Sequence, residues 1–157
     1  MTEEEKEKLE KANNYFAVEC FNQIWTILDK PVKEPKDLET ILHLAHASFW
    51  HWSQNPKAQP SNIATCYWML SRAYAVAKNT TQSLLYAQKC VEYNRENELN
   101  AFSFGYAYEA LARAYQLIKH QEKMEESLQK GFEYAEKVQD AEEKQFLTAD
   151  LHELKGS

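Results

Sequence analysis

The chain has 157 residues, 44% hydrophobic and 27% charged, a length that buries roughly 68–70% of the unfolded surface without help from a metal or a disulfide. Its longest apolar runs fall far below the ~20 residues a membrane-spanning helix takes, and three glycines and four prolines are too few for a turn-rich β fold. The net charge of −6 is concentrated at the two ends, six acidic against three basic residues in 1–20 and ten against five in 121–157, which excludes the concentrated basic face that nucleic acid needs.

In chain order, the pattern predicts seven helices and no strand. Thr2 with Glu5 three residues on reads as a capping box, and Tyr15, Val18, Cys20, Phe21, Ile24, Trp25 and Leu28 carry a first helix to about Asp29. Pro35 sits where a first-turn proline is tolerated, and Leu38, Ile41, Leu42, Ala45 and Phe49 give a second helix that ends before Asn55-Pro56. A loop is expected over 54–60. Ser61 or Asn62 then opens a third helix, from Ile63 to about Lys78, and Asn79-Thr80-Thr81 breaks and caps before a fourth, about Gln82 to Asn97. Leu99 to Lys119 and Glu122 to Val138 follow as fifth and sixth. Asp140 with Glu143 reads as a second capping box, for a seventh helix carrying Phe146, Leu147, Leu151 and Leu154.

Cys20, Cys66 and Cys90 are odd in number, far apart and embedded in apolar periodic stretches, so they read as three buried free thiols in a reducing compartment. The acidic start Met1-Thr2-Glu3-Glu4-Glu5 is unlike a secretory signal, and the expected location is cytoplasmic.

An internal repeat carries most of the information. Tyr67-x-x-Leu70-Ser71-x-x-Tyr74 returns 41 residues later as Tyr108-x-x-Leu111-Ala112-x-x-Tyr115, and ten of 27 positions agree between Tyr67–Tyr93 and Tyr108–Tyr134. A fixed offset of this size marks stacked supersecondary units. Large residues at the first, fourth and eighth places share one helical face, and the small residue between them lets a paired helix approach. Ser83, Ala87 and Cys90, then Met124, Leu128 and Gly131, are the matching positions of the second helices.

This spacing resembles the tetratricopeptide repeat, over about residues 63–138, with Tyr in place of the leading Trp, a period of 41 and not 34, and no closing Pro. A more degenerate earlier unit uses Phe21, Asn22 and Trp25 with Leu38, Leu42 and Ala45. The resemblance implies an all-α domain over 1–157, antiparallel helix pairs stacked as a short right-handed superhelix, with units at about 5–54, 62–97 and 99–138 and a capping helix over 140–155. A repeat cannot bury its apolar face alone, and a polar outer face on the last helix closes such a stack. Lys123, Lys130, Lys137 and Lys144, seven residues apart, read as a solvated stripe of ion pairs with nearby glutamates.

By the same resemblance, a concave groove is lined by the first helix of each pair, presenting Thr65, Trp68, Arg72 and Ala75 from one unit and Tyr106, Glu109, Arg113 and Gln116 from the next. Arg72 and Arg113 are repeat-equivalent. They either clamp a carboxylate of a partner bidentately or pair with internal acids such as Glu92, Glu109 or Glu133.

His43, His46 and His51 gather around Trp50 and Trp52. His43 and His46 lie one turn apart, but His51 points elsewhere and no carboxylate other than Glu39 is near, so packing of hydrogen-bonded imidazoles is favoured over a metal site or a ligand wall. No Gly-rich phosphate loop, diiron pairing or activated cysteine is present. The expected function is a non-catalytic protein- or peptide-binding scaffold that needs no cofactor. The alternatives are a small-molecule- or metal-binding helical protein using residues 43–52, and a structural homodimer that hides surplus aromatics at its interface.

Overall fold

Thr2 opens the first helix as its pattern requires: the Glu5 amide donates to Thr2 Oγ1 at 3.1 Å and the Thr2 amide to Glu5 Oε2 at 2.7 Å. In the computed structural model, which describes residues 1–157, this helix, α1, runs Glu3–Leu28. It is followed by α2 (Pro35–Ser53), α3 (Pro60–Val76), α4 (Thr80–Glu96), α5 (Ala101–Leu117), α6 (Gln121–Lys137) and α7 (Ala141–Lys155). There is no strand, and no helix is long and apolar enough to cross a membrane.

The third helix starts earlier than its pattern predicts. Pro60 occupies the first turn, where its missing N–H is no loss, and Gln59 is the cap. Asn62, expected to open the helix, instead sits one turn inside and accepts the Gln59 amide at 2.8 Å. Asn79 and Asn100 cap α4 and α5, accepting the Gln82 and Ser103 amides. His120 takes the same place before α6, and Asp140 before α7.

Three helices end in the same turn. Lys78, Glu98 and Lys119 have φ of 58°, 49° and 60°, and behind each the chain closes two backbone bonds. Asn79 N to Tyr74 O and Lys78 N to Ala75 O are repeated at Leu99–Asn94 and Glu98–Arg95, and at His120–Tyr115 and Lys119–Gln116. This is the left-handed closure usually given to glycine. Two 17-residue helices with the short connectors Ala77–Asn79 and Asn97–Asn100 thus fill the 41-residue period.

The helices pack as pairs, α1 with α2, α3 with α4 and α5 with α6. Each pair lies on the next through α2–α3, α4–α5 and α3–α5, and α7 rests on α5 and α6. Small residues set the close approaches. Ser71 Oγ donates to Ser83 O at 2.8 Å and Ser83 Oγ to Ser71 O at 3.0 Å, joining α3 to α4. Ala87, Cys90, Met124, Leu128 and Gly131 are buried at the equivalent contacts. On α7, Leu147 lies against Gly105 and Leu151 against Gly131. Ile24, Ile41, Met69 and Leu70 fill the core between the first two pairs, and Leu128, Leu147 and Leu151 fill the other end. Each such side chain contributes roughly 1.5–3 kcal/mol by leaving water.

Two expectations change here. Cys66 and Cys90 are buried, but Cys20, although it stands in line with buried Ala17 and Ile24 on α1, is only partly covered. The lysine stripe is also not a run of ion pairs. Lys123, Lys130 and Lys137 ride over the rings of Tyr115, Tyr108 and Tyr134 at 5.2–5.7 Å, and Lys144 alone pairs, with Glu136 at 3.4 Å. The seven-residue spacing matches the rows of repeat tyrosines beneath, and ring faces attract ammonium groups.

Candidate functional site: an aromatic cleft across four helices

Because α3, α5 and α7 lie side by side, residues spaced by three and four along each of them form a continuous surface. Trp25 of α1 extends it, its ring centroid 6.1 Å from that of Trp68. A cleft of about 510 Å³ opens on this surface. Its walls are the rings of Trp25, Trp68, Phe102, Tyr106 and Phe146, with Thr65 and Ser103 between them and Glu143 and Asp150 at the α7 side. Tyr106 meets Trp68 and Phe102 edge to face, at 5.6 and 5.1 Å. Phe146 is 58% exposed, an unusual position for a large apolar ring at the edge of a cleft.

A polar network ties these helices together beside the cleft. Trp68 Nε1 donates to Glu109 Oε2 at 2.7 Å, and Arg113 Nη2 donates to Glu109 Oε1. Glu109 has no exposed surface, and both of its carboxylate oxygens are engaged, as a buried acid beside an arginine requires. Tyr106 Oη donates to Asp150 Oδ2 at 2.7 Å. Burial first, then that bond, holds the Tyr106 hydroxyl well above the ordinary phenol range. Gln116 Nε2 donates to Leu154 O at 3.2 Å, which ties α5 to the end of α7.

Arg72 is the exception in this network. Its guanidinium carbon lies 5.3 Å from the Trp25 ring centroid and 5.7 Å from that of Trp68. Its Nε is buried without a hydrogen-bond partner, and no carboxylate pairs with it. Burial, followed by repulsion from Arg113, lowers its pKa from the usual guanidinium value. It remains the cation, held by ring faces in place of an acid.

The sequence-predicted residues therefore divide. Thr65, Trp68 and Tyr106 line the cleft, while Glu109 and Arg113 lie beside it in the network and Arg72 is held over Trp25 and Trp68. Gln116 faces α7. Ala75, expected on the groove, lies on the same face of α3 as Trp68 and Arg72 but is buried and does not line the cleft. Trp25, Phe102, Phe146 and Asp150 were not expected there. Asp150 carried a signal, since it stands at the same 41-residue offset beyond Glu109 as Glu109 beyond Trp68.

The histidines do not converge. His46 Nε2 is 2.8 Å from Tyr74 Oη, His51 Nδ1 is 2.9 Å from Asn13 Oδ1, and His43 lies on the surface 3.7 Å from Glu39. No three His, Cys, Asp or Glu side chains are grouped to hold a metal. His46 joins Tyr74 and Tyr86 in a ring cluster. Of the large aromatics, Trp50, Tyr15 and Phe16 are, with Phe146, the most exposed.

No family model matches the chain, and neither a curated protein nor a solved structure is significantly similar to it.

Proposed function

We propose that the chain is a non-catalytic scaffold of tetratricopeptide-like type, in which the face formed by α1, α3, α5 and α7 binds a peptide or a segment of a partner protein. The observation that carries this reading is the cleft itself: about 510 Å³, open, and walled by rings from four alternate helices, α1, α3, α5 and α7. Aromatic side chains dominate recognition surfaces because they supply much contact area for little lost freedom. The repeated α3–α4 and α5–α6 pairs supply a rigid frame for that face. Thr65, Trp68, Arg72, Tyr106, Glu109, Arg113 and Gln116 are its proposed contact residues, with Trp25, Phe102 and Phe146 added. The reading does not rest on a two-arginine clamp, since Arg113 is already held by Glu109 and a ligand carboxylate would have to displace a buried acid. Free thiols on all three cysteines are compatible with a cytoplasmic setting.

The test is a random peptide array probed with the wild-type chain and with Thr65→Trp. Thr65 is exposed on the cleft wall, so a larger side chain there blocks the cleft without entering the core. Peptides captured by the wild type and lost with Thr65→Trp support the reading. An unchanged capture pattern with that variant sinks it.

A further inference from the structure

We infer that the cleft takes a basic side chain, arginine or lysine, presented by the partner between apolar residues. The inference rests on the peptide-binding reading above and names the chemistry the cleft selects. The charged residues that line it are Glu143 and Asp150, and no lysine or arginine does. Asp150 uses Oδ2 to accept from Tyr106, while its Oδ1 has no hydrogen bond within the chain. The Glu143 carboxylate has neither a hydrogen bond nor an ion pair, its residue being exposed on the first turn of α7. Two acceptor groups are thus directed at a space otherwise walled by rings.

Those rings suit a cation. The face of an aromatic ring is its negative side, and a guanidinium or ammonium set over it is attracted, more strongly as water is excluded. The protein already places a cation this way, with Arg72 over Trp25 and Trp68. Phe102, Tyr106 and Phe146, on the α5 and α7 side, have no cation of their own.

The wider field has the same sign. Arg72 stands near Arg113, Glu109, Asp150 and Glu153, and Glu143 lines the same cleft, two positive groups against four negative. Arg113 and Glu109 neutralise each other directly, and Arg72 is committed to the two indoles. An incoming carboxylate would therefore lie among acids, whereas a basic group would complete the balance.

Two tripeptides, N-acetyl-Phe-Arg-Phe amide and N-acetyl-Phe-Glu-Phe amide, separate the signs with the same apolar flanks. They are titrated against the ¹⁵N-labelled chain while the indole N–H signals of its four tryptophans are followed. The arginine peptide is expected to shift the Trp25 and Trp68 signals saturably, and to bind roughly tenfold or more tightly than the glutamate peptide. Glu143→Gln, on an exposed side chain without internal bonds, should weaken it about threefold, and Glu143→Gln with Asp150→Asn roughly five- to thirty-fold. Equal or tighter binding of the glutamate peptide overturns the inference. So does an arginine-peptide affinity unchanged by Glu143→Gln with Asp150→Asn, or a failure of the arginine peptide to move those two signals. The Thr65→Trp array comparison does not depend on the sign of the peptide, so it decides separately whether the binding reading itself stands.

Discussion

Trp68 and Glu109 occupy equivalent places in the two clear repeats, and they are hydrogen-bonded to each other, Trp68 Nε1 donating to Glu109 Oε2 at 2.7 Å. Stacking brings like positions of neighbouring units together, so the contact forms between two positions whose residues differ. An indole donor faces a carboxylate acceptor, where two copies of either residue would lack the complementary partner.

Removing the acid should expose how much depends on it. Glu109→Ala leaves Arg113 without its counter-charge and Trp68 Nε1 without an acceptor, and loss of one partner of a buried pair costs about 3–5 kcal/mol. Glu109→Gln keeps an acceptor for Trp68 and should cost less, roughly 1–3 kcal/mol. Urea unfolding of the two variants and of Trp68→Phe measures this. A loss below about 1 kcal/mol for Glu109→Ala would show that the network does not hold α3 to α5.

How this contact was hidden explains what the sequence made legible. Tyr67, Leu70, Tyr74 and their partners 41 residues on are alike because they do the same packing work, so identity reveals the helices, their pairing and the period. Trp68 and Glu109 interact because they differ, and aligning the two copies marks them only as a mismatch. Trp25 and Phe146 were harder still. They reach the cleft from α1 and α7, outside the clear repeats, and nothing local distinguishes a ring that lines a cleft from one that fills a core. Pro60 was legible but misplaced. Its neighbours in the sequence mark a loop, although the first-turn rule that Pro35 obeys applies to Pro60 as well.

The left-handed turns give a second prediction. Lys78, Glu98 and Lys119 are exposed and hold positive φ, which non-glycine residues adopt only at a cost. Lys78→Gly, Glu98→Gly and Lys119→Gly should each stabilise by roughly 0.5–1 kcal/mol. Lys89→Gly, at an exposed position inside α4, should instead destabilise by about 1 kcal/mol. Thermal melts of the four variants check the pattern, and a loss on substituting all three turn residues contradicts it.

The histidine on α2 predicts a dependence on pH. Burial, and then the proximity of His43, lowers the His46 pKa below its ordinary value near 6.5. The unfolded chain therefore takes up this proton more readily than the folded one. The stabilisation from neutral His46, bonded to Tyr74, is intact above the unfolded value and is lost as pH falls through the lower folded value. His46→Ala should melt below the wild type at about pH 8, and the gap should narrow toward about pH 5. A gap that stays constant across that range would remove His46 as its source.

The thiols should react in a fixed order. Burial pushes Cys66 and Cys90 each up to about 12, and Cys90 Sγ also lies 3.4 Å from Ala64 O. Little thiolate forms at neutral pH, and reagent has no access. Cys20 is partly exposed, although burial and the neighbouring Glu19 raise its pKa as well. Iodoacetamide followed by peptide mass mapping should label Cys20 in the folded chain and the other two only in denaturant. Early labelling of Cys66 or Cys90 would mean that their helices open far more readily than this packing allows.

The seat of α7 can be tested at its two glycines. A methyl added at Gly105 would stand 2.2 Å from Leu147 Cδ2, and at Gly131 2.7 Å from Leu151 Cδ2. Both leucines are fully buried, so neither has free space to swing into. Alanine gains about 1 kcal/mol over glycine in helix propensity, while overpacking typically costs 1–3 kcal/mol. At Gly105, where the overlap is greater, the packing loss should win, and Gly105→Ala is expected to destabilise by about 1–2 kcal/mol. At Gly131 the two effects should come close to cancelling. If α7 is displaced as the mechanism requires, Gly105→Ala should also speed hydrogen exchange through α7, including the segment that carries Asp150 to the cleft, and leave α1 and α2 unchanged. Uniformly faster exchange along the chain would mean that α7 is not a separately seated helix.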